Sequence, residues 1–410
     1  MSTYSEIREK RGLSKTTVSR ISGITEDRLS QIEVTGKATK REEKRLAGTF
    51  GVPEYALGLE AENIQALPHD FRTVGNRKPT YGLRGLSAIY EMQTLVDFAE
   101  MIAERTQLES QFNAFRKQKA LDLNDSKPQG VVAALREITG YRFDDSLGEI
   151  GAAELFNSLR SSIEALNIFV VCEKLNEERY RGFCLSGDKF PIIYINTFKQ
   201  PYVIRNFTLI HELVHLLLGR PGVVDPFNTR SQIEKTCNTI TAQFFLPEKA
   251  FRDYASRSKR PFPLLWVDAL ARSLPFSKFF LALRIQEVFE IKGFANDWLA
   301  SLPRKVSVEF DDVSYDRYDI SDEGLLEIGD YEKAAHDNDG EESAAFARQT
   351  AASYQANRLG SAVLNLLGAG LKAGLISKYD VYDRLRVRTS VMDDALVSAL
   401  RKKSRAKKFQ

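Results

Sequence analysis

Along the first 58 residues apolar positions recur at helical spacing in short bursts, each closed by a polar or glycine-containing break. Ile7 and Leu13 bracket a first helix, and Ser14 stands as N-cap before "KTTVSR". The break "ISGIT" carries Gly23, and Thr25 caps "EDRLSQIE", with Leu29 and Ile32 on one face. A fourth helix, "KREEKRLAGTF", ends at Gly51 and Pro53. Residues 59–130 divide into a Pro/Gly-punctuated loop, "ALPHDFRTVGNRKPTYG", and a long helical pattern beginning at "LSAIYEMQTLVDFAEMIAERT". From 131 to 300 the pattern changes. Amphipathic helices ("VVAALREITG", "AELFNSLRSSIEALN") lead into the β-rich runs "IFVVCEKL", "YRGFCLSG" and "PIIYIN". An apolar helix, "FTLIHELVHLLLG", follows, then "RSQIEKTCNTITAQFFLP", closed by Pro247, and further helices such as "SKFFLALRIQEVFE". An acidic stretch at 301–345 reads as a solvated linker. Helical patterning returns over 346–402, before a basic tail at 403–410.

This order predicts a multidomain chain: an all-α unit at 1–58, a linker loop and long helix at 59–130, an α+β domain at 131–300 and a C-terminal helical region. Short helices with a glycine-containing turn before a capped helix are what a helix-turn-helix requires. The stretch "REKRGLSKTTVSRISGITEDRLSQIE", followed by "LAGTFGVPEYAL", resembles the phage-repressor-like (XRE/Cro-type) helix-turn-helix family. The resemblance implies that "TEDRLSQIE" is the recognition helix, with Arg28, Ser30 and Gln31 as candidate DNA contacts. This sequence departs from the family at Glu26 and Asp27, where small polar residues are usual, and two carboxylates facing phosphate are unfavourable. A helical module kept for protein contacts is the competing reading.

Composition narrows the classes. At 410 residues, 43% apolar and 28% charged, the chain is an ordinary globular protein with room for two or three domains. A net charge of +3 is too small to imply a nucleic-acid coat or a membrane-surface protein. No apolar run approaches the roughly 20 residues needed to span a bilayer, and the polar N-terminus has no signal-peptide core. Cys172, Cys184 and Cys237 are widely spaced and odd in number, so a reducing cytoplasm is the expected compartment.

Two of the four histidines, His211 and His215, are four positions apart on the predicted helix, with Glu212 beside the first. Residues i and i+4 share a helix face, so both imidazoles can reach one Zn2+ ion, and Glu212 can take a proton from water activated there. Unligated polar groups among "FTLI" and "LVHLLLG" would be costly. His69 and His336 have no such neighbours and read as surface or packing residues. A catalytic zinc wants a third ligand, and no third histidine follows closely. Glu234 on the next helix supplies one, in line with the His₂Glu sites of metallopeptidases. Asn238 shares its face and is a candidate for orienting a ligand or binding substrate. Cys237 is a softer competitor for the metal, and Asp225 is an alternative ligand or a partner for a histidine. Mn2+ or Fe2+ would fit the same ligands.

The run "GFCLSGDKFPIIYINTFKQPYVIRNFTLIHELVHLLLG", with "IEKTCNTITAQFFLP", is similar to the ImmA/IrrE family of zincin-like metallopeptidases. Suggestive matches extend to "LPHDFRTVGNRKP", "LREITG" and the C-terminal "RLGSAVLNLLGAGLKAGLISKYDVYDRL". The resemblance implies a gluzincin-like fold with His211, His215 and Glu234 on zinc and Glu212 as catalytic base. It also implies site-specific cleavage of a helix-turn-helix transcriptional repressor, which derepresses genes of a stress response or mobile element. The strand "PIIYIN", ending at Asn196, is expected at the cleft as an edge that holds an extended peptide, with Asn196 a candidate second-shell or substrate residue. Expected partners are that repressor, DNA through the N-terminal unit, and a second copy of the chain. The competing function is a DNA-binding regulator or antitoxin-like module whose zincin-like domain senses a ligand or partner without proteolysis.

Overall fold

The computed structural model describes residues 3–11, 13–50, 52, 57, 71–73, 83–106, 128–144, 149–175, 180–185, 190–218, 229–257, 265–301, 351–385, 387, 392 and 396. His69, Asp225, His336, the acidic stretch beyond residue 301 and the basic tail lie outside them. Four short helices come first: α1 (Thr3–Lys10), α2 (Lys15–Ser22), α3 (Glu26–Thr35) and α4 (Lys40–Phe50). Ser14 accepts from the Thr17 amide and Thr25 from the Arg28 amide. Such N-caps satisfy otherwise orphaned amides and contribute about 1 kcal/mol each. Gly23 and Gly36 end α2 and α3 in the left-handed conformation, at φ 68° and 67°.

After β1 (Phe71–Thr73) and α5 (Leu83–Thr106) come α6 (Pro128–Thr139) and α7 (Ala152–Glu164). Strands β2 (Phe169–Glu173), β3 (Tyr180–Leu185) and β4 (Ile192–Asn196) follow. Then come α8 (Tyr202–Leu217), α9 (Thr229–Phe245), α10 (Glu248–Arg257), α11 (Leu265–Ser273), α12 (Lys278–Val288) and α13 (Phe294–Ser301). Helices α14 (Ala351–Lys372) and α15 (Lys378–Leu385) complete the described chain. Among the described residues no helix is long and apolar enough to cross a membrane.

The sheet has the order β1-β3-β4-β2, with β2 and β4 parallel and the other pairs antiparallel. Strand β4 is therefore interior, hydrogen-bonded on both sides, and all five of its residues are buried. This corrects the expectation that "PIIYIN" is an edge strand open to a peptide: its ladder groups are already spent. Asn196 is buried too, and its side-chain oxygen accepts from the amides of Leu175 and Phe198, which clasps the ends of β2 and β4 together.

Both faces of the sheet are apolar, and each has its own core. Ile168, Val170, Cys184, Ile193 and Ile195 belong to a core with α6–α9 and the helices up to α13. The alternate residues Phe169, Val171, Phe183, Ile192 and Tyr194 face a second core, shared with the N-terminal helices, α5, α14 and α15. The long helix of the expected linker and the first helix of the C-terminal region thus pack on the same sheet face. Arg358 of α14 pins that layer, reaching Glu173 of β2 at 3.0 Å, Glu91 of α5 at 3.4 Å and the Leu385 carbonyl at 2.7 Å.

Helix α14 breaks at Gly360 (φ 78°, ψ 171°), backbone that only glycine adopts readily. A buried ion pair from α7 fills the break. Arg160 lies 2.7 Å from Glu164 and donates to the carbonyls of Asn357 and Val170. Glu164 accepts from the amide and hydroxyl of Ser361, where the helix restarts. A carboxylate at a helix start and a guanidinium at a helix end are the favourable pairings. A Cβ at position 360 would overlap the Glu164 carboxylate.

Helix α8 lies close on the sheet because β3 presents Gly182 beneath it. A Cβ there would stand 2.7 Å from the Tyr194 carbonyl and 2.8 Å from the Thr208 methyl, one turn before Glu212. Gly182→Ala is therefore expected to lift α8 and destabilise the fold by about 1–3 kcal/mol, the usual overpacking range, as read by urea unfolding. A midpoint equal to wild type would show that this approach is not tight.

Candidate metal centre

Helix α8 is buried on nearly every face, from Thr208 through Leu217, as expected for "YVIRNFTLIHELVHLL", which is apolar all round. Its polar exceptions are Thr208, whose hydroxyl donates to the Ile204 carbonyl, and His211, Glu212 and His215, only 1%, 2% and 2% exposed. Helix α9 brings Glu234 to them from the other side. The C-terminal end of α9 is fixed by donors to its last carbonyls: Arg136 to Gln243, Tyr141 to Phe245 and Arg284 to Leu246. Two of these are cations at a helix C-terminus, where the dipole favours them. Pro247 then begins the approach to α10.

Three ligand atoms converge. The Nε2 atoms of His211 and His215 are 3.1 Å apart, and the two carboxylate oxygens of Glu234 lie 3.0 Å and 3.1 Å from them. Zinc held tetrahedrally by nitrogen and oxygen ligands at about 2.0–2.1 Å separates those ligands by about 3.3–3.4 Å. The observed spacings, with each imidazole facing a different oxygen of Glu234, are shorter than this by only a few tenths of an ångström, and the donor set is that of a zinc site. The residues therefore fit the metal. Among the described residues this is the one cluster of histidine, cysteine or acidic groups with such convergence. At 27% side-chain exposure, Glu234 is the most open of the three and marks the solvent side of the group.

Electrostatics agree with a cation at this point. Burial alone would lower the pKa of His215, but contact with Cys237 and Glu234 outweighs it and holds the imidazole well above its usual value. Burial would raise Glu234, yet His211 and His215 hold it well below the carboxylate range. Burial pushes the Cys237 thiol up, with His215 pulling the other way. The cluster is built to keep a positive charge beside Glu234, carried by a proton or by a metal.

Of the other predicted residues, Cys237 is fully buried and stands outside the three-residue group. Asn238 is buried one turn beyond Glu234. The three N-terminal residues form a separate surface group. Arg28 is held by Glu42 at 2.8 Å and 3.0 Å and reaches Gln31 at 3.4 Å, while Ser30 accepts from Lys15 at 3.0 Å. Glu42 in turn accepts from the Thr39 amide, and these hydrogen bonds, Arg28 first, lower its pKa to about 2. Sequence reasoning passed over Phe207, whose ring stacks toward His211 with centroids 6.3 Å apart. Its position one turn before His211 was the available signal.

Residues 163–286, which run from the end of α7 into α12 and contain all three candidate ligands, match the family model described as the IrrE N-terminal-like domain. This segment is thus similar to metallopeptidases of the ImmA/IrrE type. No curated protein and no solved structure matches the chain.

Proposed function

We propose that the chain is a zinc-dependent, site-specific endopeptidase whose substrate is a transcriptional repressor of the helix-turn-helix type. The observation that carries the reading is the meeting of His211, His215 and Glu234, with Glu212 buried beside them, inside the segment that matches the peptidase family model. His211, His215 and Glu234 would hold the metal, which when bound supplies Lewis acidity and activates water. Glu212 is the proton acceptor for the attack and returns the proton to the departing amine. Its low exposure removes competing water and raises the worth of each charge interaction there. The buried walls of α8 and α9 hold the carboxylate and imidazoles in place before substrate arrives.

The substrate class rests on the family resemblance and on the N-terminal helices, which would bring the enzyme to the repressor or to its operator. Arg28 would have to leave Glu42 to contact DNA. The test is incubation of the zinc-loaded chain with the helix-turn-helix regulator encoded beside it. Wild type is expected to yield two fragments, and Glu212→Gln to slow cleavage by about 100-fold or more while retaining zinc. Operator binding without cleavage of that regulator, or equal cleavage by the variant, would overturn the proposal.

A further inference from the structure

Phe207 is the metal-side end of a cluster of phenylalanines drawn from three parts of the fold. Its ring meets Phe280 edge-on at 5.4 Å and lies 6.4 Å from Phe245. Phe276 closes the group, 5.3 Å from Phe245 and 5.5 Å from Phe280. Edge-to-face contacts of this kind fix ring positions, so the cluster is a stiff wall. Phe245 and Phe276 are buried, whereas Phe207 stays partly exposed beside His211. An aromatic ring left half-covered at the end of a buried cluster, next to a metal ligand, is what a binding subsite presents.

We infer that Phe207, backed by Phe245, Phe276 and Phe280, is the floor of a subsite for a large apolar side chain flanking the scissile bond. The inference rests on the peptidase reading and specifies which peptides the site accepts. Phe207 precedes His211 by one helical turn and so shares its helix face, which puts the ring next to the place where a substrate carbonyl would meet His211 and Glu212. A charged side chain there would lose hydration against phenyl groups and gain no partner. The polar residues just before Phe207 are engaged elsewhere: Asn206 donates to the Ala152 carbonyl, and Arg205 donates to the Thr197 carbonyl and stacks on Tyr202.

The test uses amino-acid hydroxamates, which anchor on zinc and place one side chain beside it, titrated calorimetrically into the zinc-loaded full chain. Leucine and phenylalanine hydroxamates are expected to bind about tenfold or more tighter than those of glycine and aspartate. Phe207→Ala should collapse that ratio with zinc content unchanged. Phe207→Leu, which keeps an apolar floor, should preserve the leucine-over-glycine ratio. Equal affinities in wild type, an intact ratio in Phe207→Ala, or a collapse in Phe207→Leu as well would each overturn the assignment. Hydroxamate binding needs no turnover, so absence of repressor cleavage would count against the peptidase reading and not against this subsite.

Discussion

Glu234→Gln is expected to lower zinc affinity by more than about 100-fold, because loss of a mere outer partner of a metal ligand already costs about 10–100-fold. The carboxylate spans both imidazoles, at 3.0 Å and 3.1 Å, so its charge favours a cation between them. Competition against a chelator, with far-UV circular dichroism to confirm the fold, measures the effect. An affinity within threefold of wild type would remove Glu234 from the centre. The pH dependence carries a second signature. His215 is held above its usual pKa, so in the wild type a proton competes with the metal, and apparent affinity falls as pH drops through that raised value. Without the Glu234 charge one of the groups raising His215 is gone. The fall in affinity should then begin at a lower pH than in wild type.

Glu164→Ala is expected to destabilise the protein by about 3–5 kcal/mol, the range for stripping one partner from a buried ion pair. Arg160 would keep its charge in a buried site with carbonyls alone for company, and the Ser361 amide would lose its acceptor. Gly360→Ala strikes the same junction from the other side, through a forbidden φ and an overlap with the carboxylate. Because the two lesions share partners, the double variant should cost clearly less than their sum. Equilibrium urea unfolding of the three variants decides it. Additive losses, or a Glu164→Ala penalty below 1 kcal/mol, would show that the pair does not splice the helix.

How legible was this in the sequence? The meeting of His211, His215 and Glu234 was legible because its grammar is local: the histidines are one helical turn apart, and Glu234 lies on the very next helix. The caps at Ser14 and Thr25 were legible for the same reason. The place of β4 was not. "PIIYIN" reads as a strand, but whether a strand is an edge or an interior one depends on partners chosen elsewhere. Its unbroken apolar run, in place of alternation, was the clue that both faces would be covered. Nor could the sequence pair Arg160 with Asn357, 197 positions away, or show that Gly360 accommodates Glu164. In "SYQANRLGSAVLNLLG" that glycine looks like an ordinary weak point in a helix.

The two-sided sheet also sets an order of events during synthesis. The metal-side core is made from residues 131–298, so it can close while the rest of the chain is still emerging from the ribosome. The opposite face is completed only when α14, which ends at residue 372, covers Phe169 and Val171 of β2. Until then the growing chain carries an uncovered apolar strip and an Arg160–Glu164 pair without its helix. A nascent chain stalled before residue 351 would therefore hold the His211, His215 and Glu234 cluster already assembled and be a ready client for chaperones or for aggregation.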